Sequence, residues 1–267
     1  MTMNRQWLLK ARPHGMIGPD NFEYTETPIP QIGDGEILVQ NHYLSFDPTQ
    51  RNWMVDRPGY LPPVGMGEVM RAGSVSEVVE SKHPDFKPGE LVQTTGCWQD
   101  FAVVAPGKGP MGVNKLPPGV SPEMMLSILG ITGMTAYFGL LEHGQPEEGE
   151  TVLVSGAAGA TGSVVGQIAK LKGCRTIGIA GGQKKCAWLT EVAKFDGAID
   201  YKSEDVSQRI GALCPNKWDV FFDNVAGPIL EAALNHLNLY SRVVMCGGIA
   251  NYNNIEPEPG PLSLIHI

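Results

Sequence analysis

The sequence predicts an α/β chain of two domains, an N-terminal all-β barrel followed by a doubly wound parallel sheet. Three observations carry this. Over residues 5–118, short β-branched or alternating runs sit between turns rich in Gly and Pro. From Glu150 the pattern becomes strand, helix, strand, helix, with near-continuous apolar strands, as in a parallel sheet covered on both faces. The stretch "TVLVSGAAGATGSVVGQIAKLKG" then sets closely spaced glycines between the first of those strands and its helix. A chain of 267 residues has room for two ordinary cores.

In the first domain the candidate strands are "EILVQNHYL" (36–44), "SVSEVVE" (74–80), "ELVQTT" (90–95) and "DFAVVA" (100–105). In "LPPGVSPEMMLSILGITGMTAYFGLLEHG" (116–144) apolar residues recur at helical offsets, and Ser121 before Pro122 marks a helix start, so this segment reads as the junction into the second domain. There the strands fall at 151–155, 175–180, 197–201, 219–224 and 242–248, separated by helices such as "SVVGQIAKLKG" and "KKCAWLTEVAKF".

A formal charge of −8 without any basic run argues against nucleic acid and anionic membrane as partners. The N-terminus lacks the apolar core of a signal peptide, and no stretch reaches the roughly 18 apolar residues of a membrane span, so the expected location is the cytoplasm. The five cysteines, at 97, 174, 186, 214 and 246, show no C-x-x-C spacing and read as buried small apolar residues rather than a disulfide or zinc framework.

In "SGAAGATG" the glycines Gly156, Gly159 and Gly162 follow a strand and open a helix, the context of a dinucleotide-binding turn. Gly156 can take the turn's dihedrals, Gly159 lets backbone approach a pyrophosphate, and Gly162 lets helix and strand pack closely. The spacing is GxxGxxG rather than GxGxxG, so a plain packing turn is the alternative, and the run of strands in step with it favours the cofactor reading. A site for NAD offers an acid about 20 residues on. Here "GIAGGQKK" places Gly181 and Gly182 there, with Lys184 and Lys185 next. Two lysines in a first helical turn oppose the helix dipole, a placement that a 2′-phosphate offsets, so NADP is favoured over NAD. The alternative is a pair of ordinary surface lysines.

"GMTAYFGLLEHGQPEEGETVLVSGAAGATGSVVGQIAK", "DNVAGPIL" and "GGIANYN", with "YLSFDPTQRNWM" and "GYLPPVGMGEVMRAG" earlier, resemble the zinc-independent medium-chain dehydrogenase/reductase superfamily. Within it they resemble the leukotriene B4 12-hydroxydehydrogenase/prostaglandin reductase group and its curcumin-reductase-like relatives. The resemblance covers roughly residues 5–255. It implies a GroES-like substrate domain (1–122), a Rossmann domain carrying NADP(H) (123–255), and reduction of the C=C bond of an α,β-unsaturated ketone or aldehyde, the small-molecule partner. Relatives commonly pair through the Rossmann domain, which implies a homodimer for a full-length parent and leaves the oligomeric state of this chain open. Relatives continue beyond this chain, so the resemblance also implies a C-terminally truncated sheet lacking its final strand, with 256–267, ending "LSLIHI", as a tail outside the family.

Residues 1–120 hold one cysteine, Cys97, and three dispersed histidines, His14, His42 and His83, so no four-ligand zinc set can be assembled there. Charge developing on a substrate carbonyl oxygen then needs a hydrogen-bond donor. The resemblance points to Tyr252, in "GGIANYN", as that donor, since a phenol donates without ionising at neutral pH. Tyr60 is the second choice, with an interface aromatic as its alternative. By motif position the resemblance also implies contacts from Gly159, Ala160 and Thr161 to pyrophosphate. It puts Gly181, Lys185 and Tyr201 at the adenosine 2′-phosphate region, and Asn224 and Cys246 beside the nicotinamide. Thr49 and Gln50 depart from the Tyr and Met that many relatives carry. Competing readings are a quinone reductase of the same superfamily, a nucleotide-binding protein without turnover, and a fragment that does not fold.

Overall fold

The computed structural model describes residues 2–57, 59–108, 112–256 and 260. Of the expected tail, residues 257–259 and 261–267 lie outside the described residues. The chain divides into two compact units, Met1–Ser127 and Ile128–Ile267.

The first unit is β-rich. Strands β1 (Met3–Leu9) and β2 (Phe22–Pro28) form an antiparallel pair. Strands β3 (Ile37–Leu44), β4 (Ser74–Ser81), β5 (Leu91–Thr94), β6 (Phe101–Val104) and β7 (Asn114–Lys115) form an antiparallel sheet in the order β6-β3-β4-β5-β7. Alternation sorts its side chains: Ile37 and Val39 join one cluster with Val78, Val92 and Ala102, while Leu38 joins Ile32 and Phe101 on the other side. Two short helices complete the unit, α1 (Thr49–Trp53) and α2 (Pro122–Leu126). Ser121 caps α2 as its sequence suggests, its side chain accepting the Met124 N–H at 3.3 Å.

The second unit is Rossmann-like. After α3 (Ile131–Phe138) and a π-helical turn (Gly139–Gly144), strands and helices alternate: β8 (Thr151–Ser155), α4 (Ala160–Leu171), β9 (Arg175–Ala180), α5 (Gln183–Glu191), β10 (Gly197–Asp200), α6 (Val206–Leu213), β11 (Trp218–Asp223), α7 (Gly227–Leu234) and β12 (Leu237–Met245). All five strands are parallel, in the order β10-β9-β8-β11-β12. Both faces are covered. Val152, Val154, Val220 and Phe222 pack with residues of α3, α4 and α5, while Leu153, Ile177, Ile199 and Phe221 pack with Ile210 of α6 and Leu230 of α7.

Segment 116–144 holds helices as its periodicity suggests, with a break at residues 127–130 before Gly130, the N-cap of α3. One sequence reading needs correction here: the cysteines are not uniformly buried. Cys174 and Cys214 are, Cys97 and Cys186 are half-buried, and Cys246 is exposed.

Gly166, a buried residue of α4, lies against Phe195 of the loop that leads into β10. A methyl group there would overlap the ring of Phe195. We expect Gly166→Ala to lower stability by about 1–3 kcal/mol through overpacking, read as a lower urea midpoint; an unchanged midpoint would mean that Phe195 can move aside.

Candidate functional site

The sheet order reverses direction between β8 and β11, and in an open α/β sheet the crevice at the carboxyl ends of such strands is where ligands bind. Five segments leave the strands on that edge, and they contain all the sequence-selected residues of this unit.

The first is the glycine loop. Gly156 has φ +56°, in the left-handed region, and its Cβ position lies 3.5 Å from Asn224 Cβ. Gly159 is the N-cap of α4 and has no side-chain oxygen to offer, so no side chain caps the helix. Ala160 is exposed and Thr161 half-buried in the first turn. Their N–H groups and the positive end of the helix dipole thus stand where an anion would be held. A methyl group at Gly162 would sit 2.5 Å from the Gly156 carbonyl oxygen and 2.8 Å from Ala157 Cα, so a glycine there lets α4 approach the end of β8.

The second and third segments follow β11 and β12. Ser155 and Asp223, both buried and both missed by sequence reasoning, form a junction with the predicted Asn224. Ser155 Oγ donates to Asp223 Oδ1 at 2.6 Å and accepts the Asn224 N–H at 2.8 Å, while Asn224 Nδ2 donates to the Ser155 carbonyl at 2.7 Å. Asp223 also accepts the N–H groups of Val225 (2.9 Å) and Ala226 (3.1 Å), and its carbonyl accepts those of Cys246 (2.9 Å) and Gly247 (3.0 Å). The signal available in the sequence was an acid closing an otherwise apolar strand, "VFFD". Cys246 is exposed, yet surrounding protein and the Asp223 carboxylate push its thiol up to about 11, so it stays protonated at neutral pH. Tyr252 follows the short 3-10 turn Ile249–Asn251, and its hydroxyl accepts a long 3.4 Å contact from the Gly248 N–H. The Cβ position of Gly247 lies 3.2 Å from Asn224 O and 3.3 Å from Tyr252 Oη, which brings Asn224, Cys246 and Tyr252 to one place.

The remaining segments follow β9 and β10. Gly182, at φ +95°, is the N-cap of α5, and Lys184 and Lys185 lie exposed in the first turn. A methyl group at Gly181 would stand 2.8 Å from the ring of Tyr201 and 2.9 Å from its hydroxyl, so these two predicted residues are in contact. Asp200, also missed by sequence, accepts the Gly182 N–H at 2.7 Å.

Tyr60 belongs to the first unit. It is exposed, and its hydroxyl is 2.5 Å from Thr49 Oγ1, one of the positions that departs from relatives. Among the described residues no group of three or more His, Cys, Asp or Glu side chains could hold a metal ion.

Residues 5–113 match the family described as N-terminal domain of oxidoreductase, and residues 160–265 match the family described as zinc-binding dehydrogenase. The chain is 43% identical over 258 residues to the NADPH-dependent curcumin reductase of Escherichia coli (strain K12), covering 97% of this chain and 74% of that protein. It belongs to the curcumin and prostaglandin reductase group of medium-chain dehydrogenase/reductases. Prostaglandin reductase 1 of Bos taurus, a mammalian member of this reductase group, is 36% identical over 263 residues, covering 98% of this chain and 78% of that protein. The group's CurA from Vibrio vulnificus, solved in complex with NADPH, superposes with a TM-score of 0.89 at 42% identity, covering 98% of this chain and 77% of that one.

In this member of the reductase group the N–H groups of Gly182 and Lys202 hold the Asp200 carboxyl below its usual range. A carboxyl so depressed contributes stability that is present above its unfolded value of about 3.9 and is lost as pH falls through the lower folded value. We expect Asp200→Asn to remove that part of the acid dependence of unfolding, measured by denaturant titration between neutral pH and the acid limb. Parallel acid limbs for both proteins would contradict it.

Proposed function

We propose that this chain binds NADPH along the carboxyl edge of its parallel sheet and uses it to reduce the C=C bond of an α,β-unsaturated ketone or aldehyde. The observation that carries the reading is the uncapped N-terminus of α4, set at the point where strand order reverses, behind a turn that needs a glycine at 156. The residues present fit a dinucleotide. First-turn N–H groups of Ala160 and Thr161, with Gly159, hold pyrophosphate; Lys185 takes the 2′-phosphate with Gly181 and Tyr201 beside it; Asn224 and Cys246 flank the nicotinamide half. NADPH, when bound, supplies the hydride that goes to the β-carbon of the substrate.

Negative charge then grows on the substrate's carbonyl oxygen, Tyr252 stabilises the enolate by donating a hydrogen bond from its phenol, and a proton from water reaches the α-carbon to complete the reduction. Its hydroxyl accepts a contact from Gly248 and keeps its own hydrogen for a substrate, whereas the Tyr60 hydroxyl is shared with Thr49. That difference orders the two tyrosines. Charge stabilisation by hydrogen bonds rather than by zinc is supported by the scattering of Cys97 and the histidines of the first unit.

The direct test is a fluorescence titration with NADPH and NADH, followed by NADPH oxidation in the presence of 2-alkenals and enones. Saturable binding with NADPH preferred, and turnover with enones, is expected; binding of neither nucleotide would overturn the reading. Lys185→Ala should weaken NADPH about 10- to 100-fold while sparing NADH, since it removes one charge-assisted phosphate contact; equal losses would remove the assignment. Tyr252→Phe should lower kcat by about 100-fold with little change in nucleotide affinity, and unchanged turnover would move the role to Tyr60.

A further inference from the structure

We propose that Asp200 is a positioning residue that sets the preference for a 2′-phosphorylated dinucleotide, acting through the Gly181–Gly182 turn; the inference rests on the NADPH reading above. Asp200 closes β10 and is only 7% exposed. Its Oδ1 accepts the N–H groups of Gly182 (2.7 Å) and Lys202 (3.1 Å), and Oδ2 accepts the Ser203 hydroxyl at 2.9 Å. Its own N–H donates to Glu204 Oε2 at 2.8 Å, and Glu204 pairs with Arg209 at 2.7 Å.

In NAD sites a carboxylate at the end of the second strand reads the ribose 2′-hydroxyl. Here Gly181 and Gly182 stand at that position, and the neighbouring carboxylate, Asp200 at the end of the next strand, has both oxygens occupied by the chain itself. What it holds is the start of α5: Gly182, at φ +95°, is fixed by Asp200 on its N–H side, and its carbonyl in turn accepts the N–H groups of Lys185 (3.0 Å) and Cys186 (3.2 Å). Tyr201, the next residue in the chain, packs on Gly181. One side chain therefore links the three residues assigned to the 2′-phosphate, and α5 has no other side-chain cap. Asp200 acts here as an acceptor of hydrogen bonds, so its charge is dispensable to the role while its Oδ1 is not.

The test measures affinity for NADPH and NADH by fluorescence in the wild-type chain, Asp200→Ala, Asp200→Asn, Lys185→Ala and the D200A/K185A pair. D200A should weaken NADPH about tenfold, the scale of one charge-assisted contact, and change NADH less than about twofold. D200N retains an oxygen for Gly182 and Lys202 and should keep the wild-type ratio. The double variant should lose no more selectivity than K185A alone, because both act on one contact. Should D200A not fold, Asp200→Ser, too short to reach Gly182, is read the same way. Equal weakening of both nucleotides, or an unchanged ratio in D200A beside an NADPH-preferring wild type, overturns this inference alone. Wild-type chain that binds neither nucleotide overturns it together with the reading it rests on.

Discussion

The buried carboxylate of Asp223 is the constraint on which the rest of the second unit depends. It is completely inaccessible, and a charge in that setting is tolerable only when hydrogen bonds surround it. The donors come from Ser155 on β8 and from Val225 and Ala226 on the turn into α7, while the residue's own carbonyl takes two N–H groups from the end of β12. Three strand ends are thereby held at fixed offsets. Asn224 is locked against Ser155, the glycine loop rests on Asn224, and the loop after β12 carries Tyr252 back toward the same point. Without that junction the loops would have no common reference.

Asp200 repeats the arrangement at the other half of the edge. Both acids end a strand and turn their oxygens to backbone N–H groups rather than to solvent, Asp223 to the turn that follows it and Asp200 to its own turn and to the neighbouring β9–α5 turn. The chemistry needs this economy, because parallel strands present loops that must be ordered before any ligand arrives. Carboxylates bonded to N–H groups order them through short, directional contacts, and the left-handed Gly156, Gly182 and Gly227 permit the bends that those contacts require.

Strands β8 and β9 were legible in the sequence to the residue, since burial on both faces leaves an unbroken apolar run with turn residues at each end. β12 was not. Read as 242–248, it spans Leu237–Met245, because its first half is irregular and "CGG" already belongs to the loop. The glycines of the site could be found because conformational demand is written in residue type. Ser155 and Asp223 could not, since they meet across 68 positions of sequence, and only the pairing of β8 with β11 shows which groups face each other. Asp200 was hidden for the same reason, its partner Gly182 lying on the neighbouring β9–α5 turn.

The irregular half of β12 also bears on how far the sheet stays aligned on this side. Among the described residues β12 pairs only with β11. Its ladder is interrupted between Leu237 and Arg242, and Tyr240 stands there at φ +61° and almost fully exposed. A left-handed residue in mid-strand turns the backbone out of line. The nine-residue strand therefore keeps a regular register with β11 only over Arg242–Met245, and the shape of a single residue confines the alignment on this side of the sheet to that stretch.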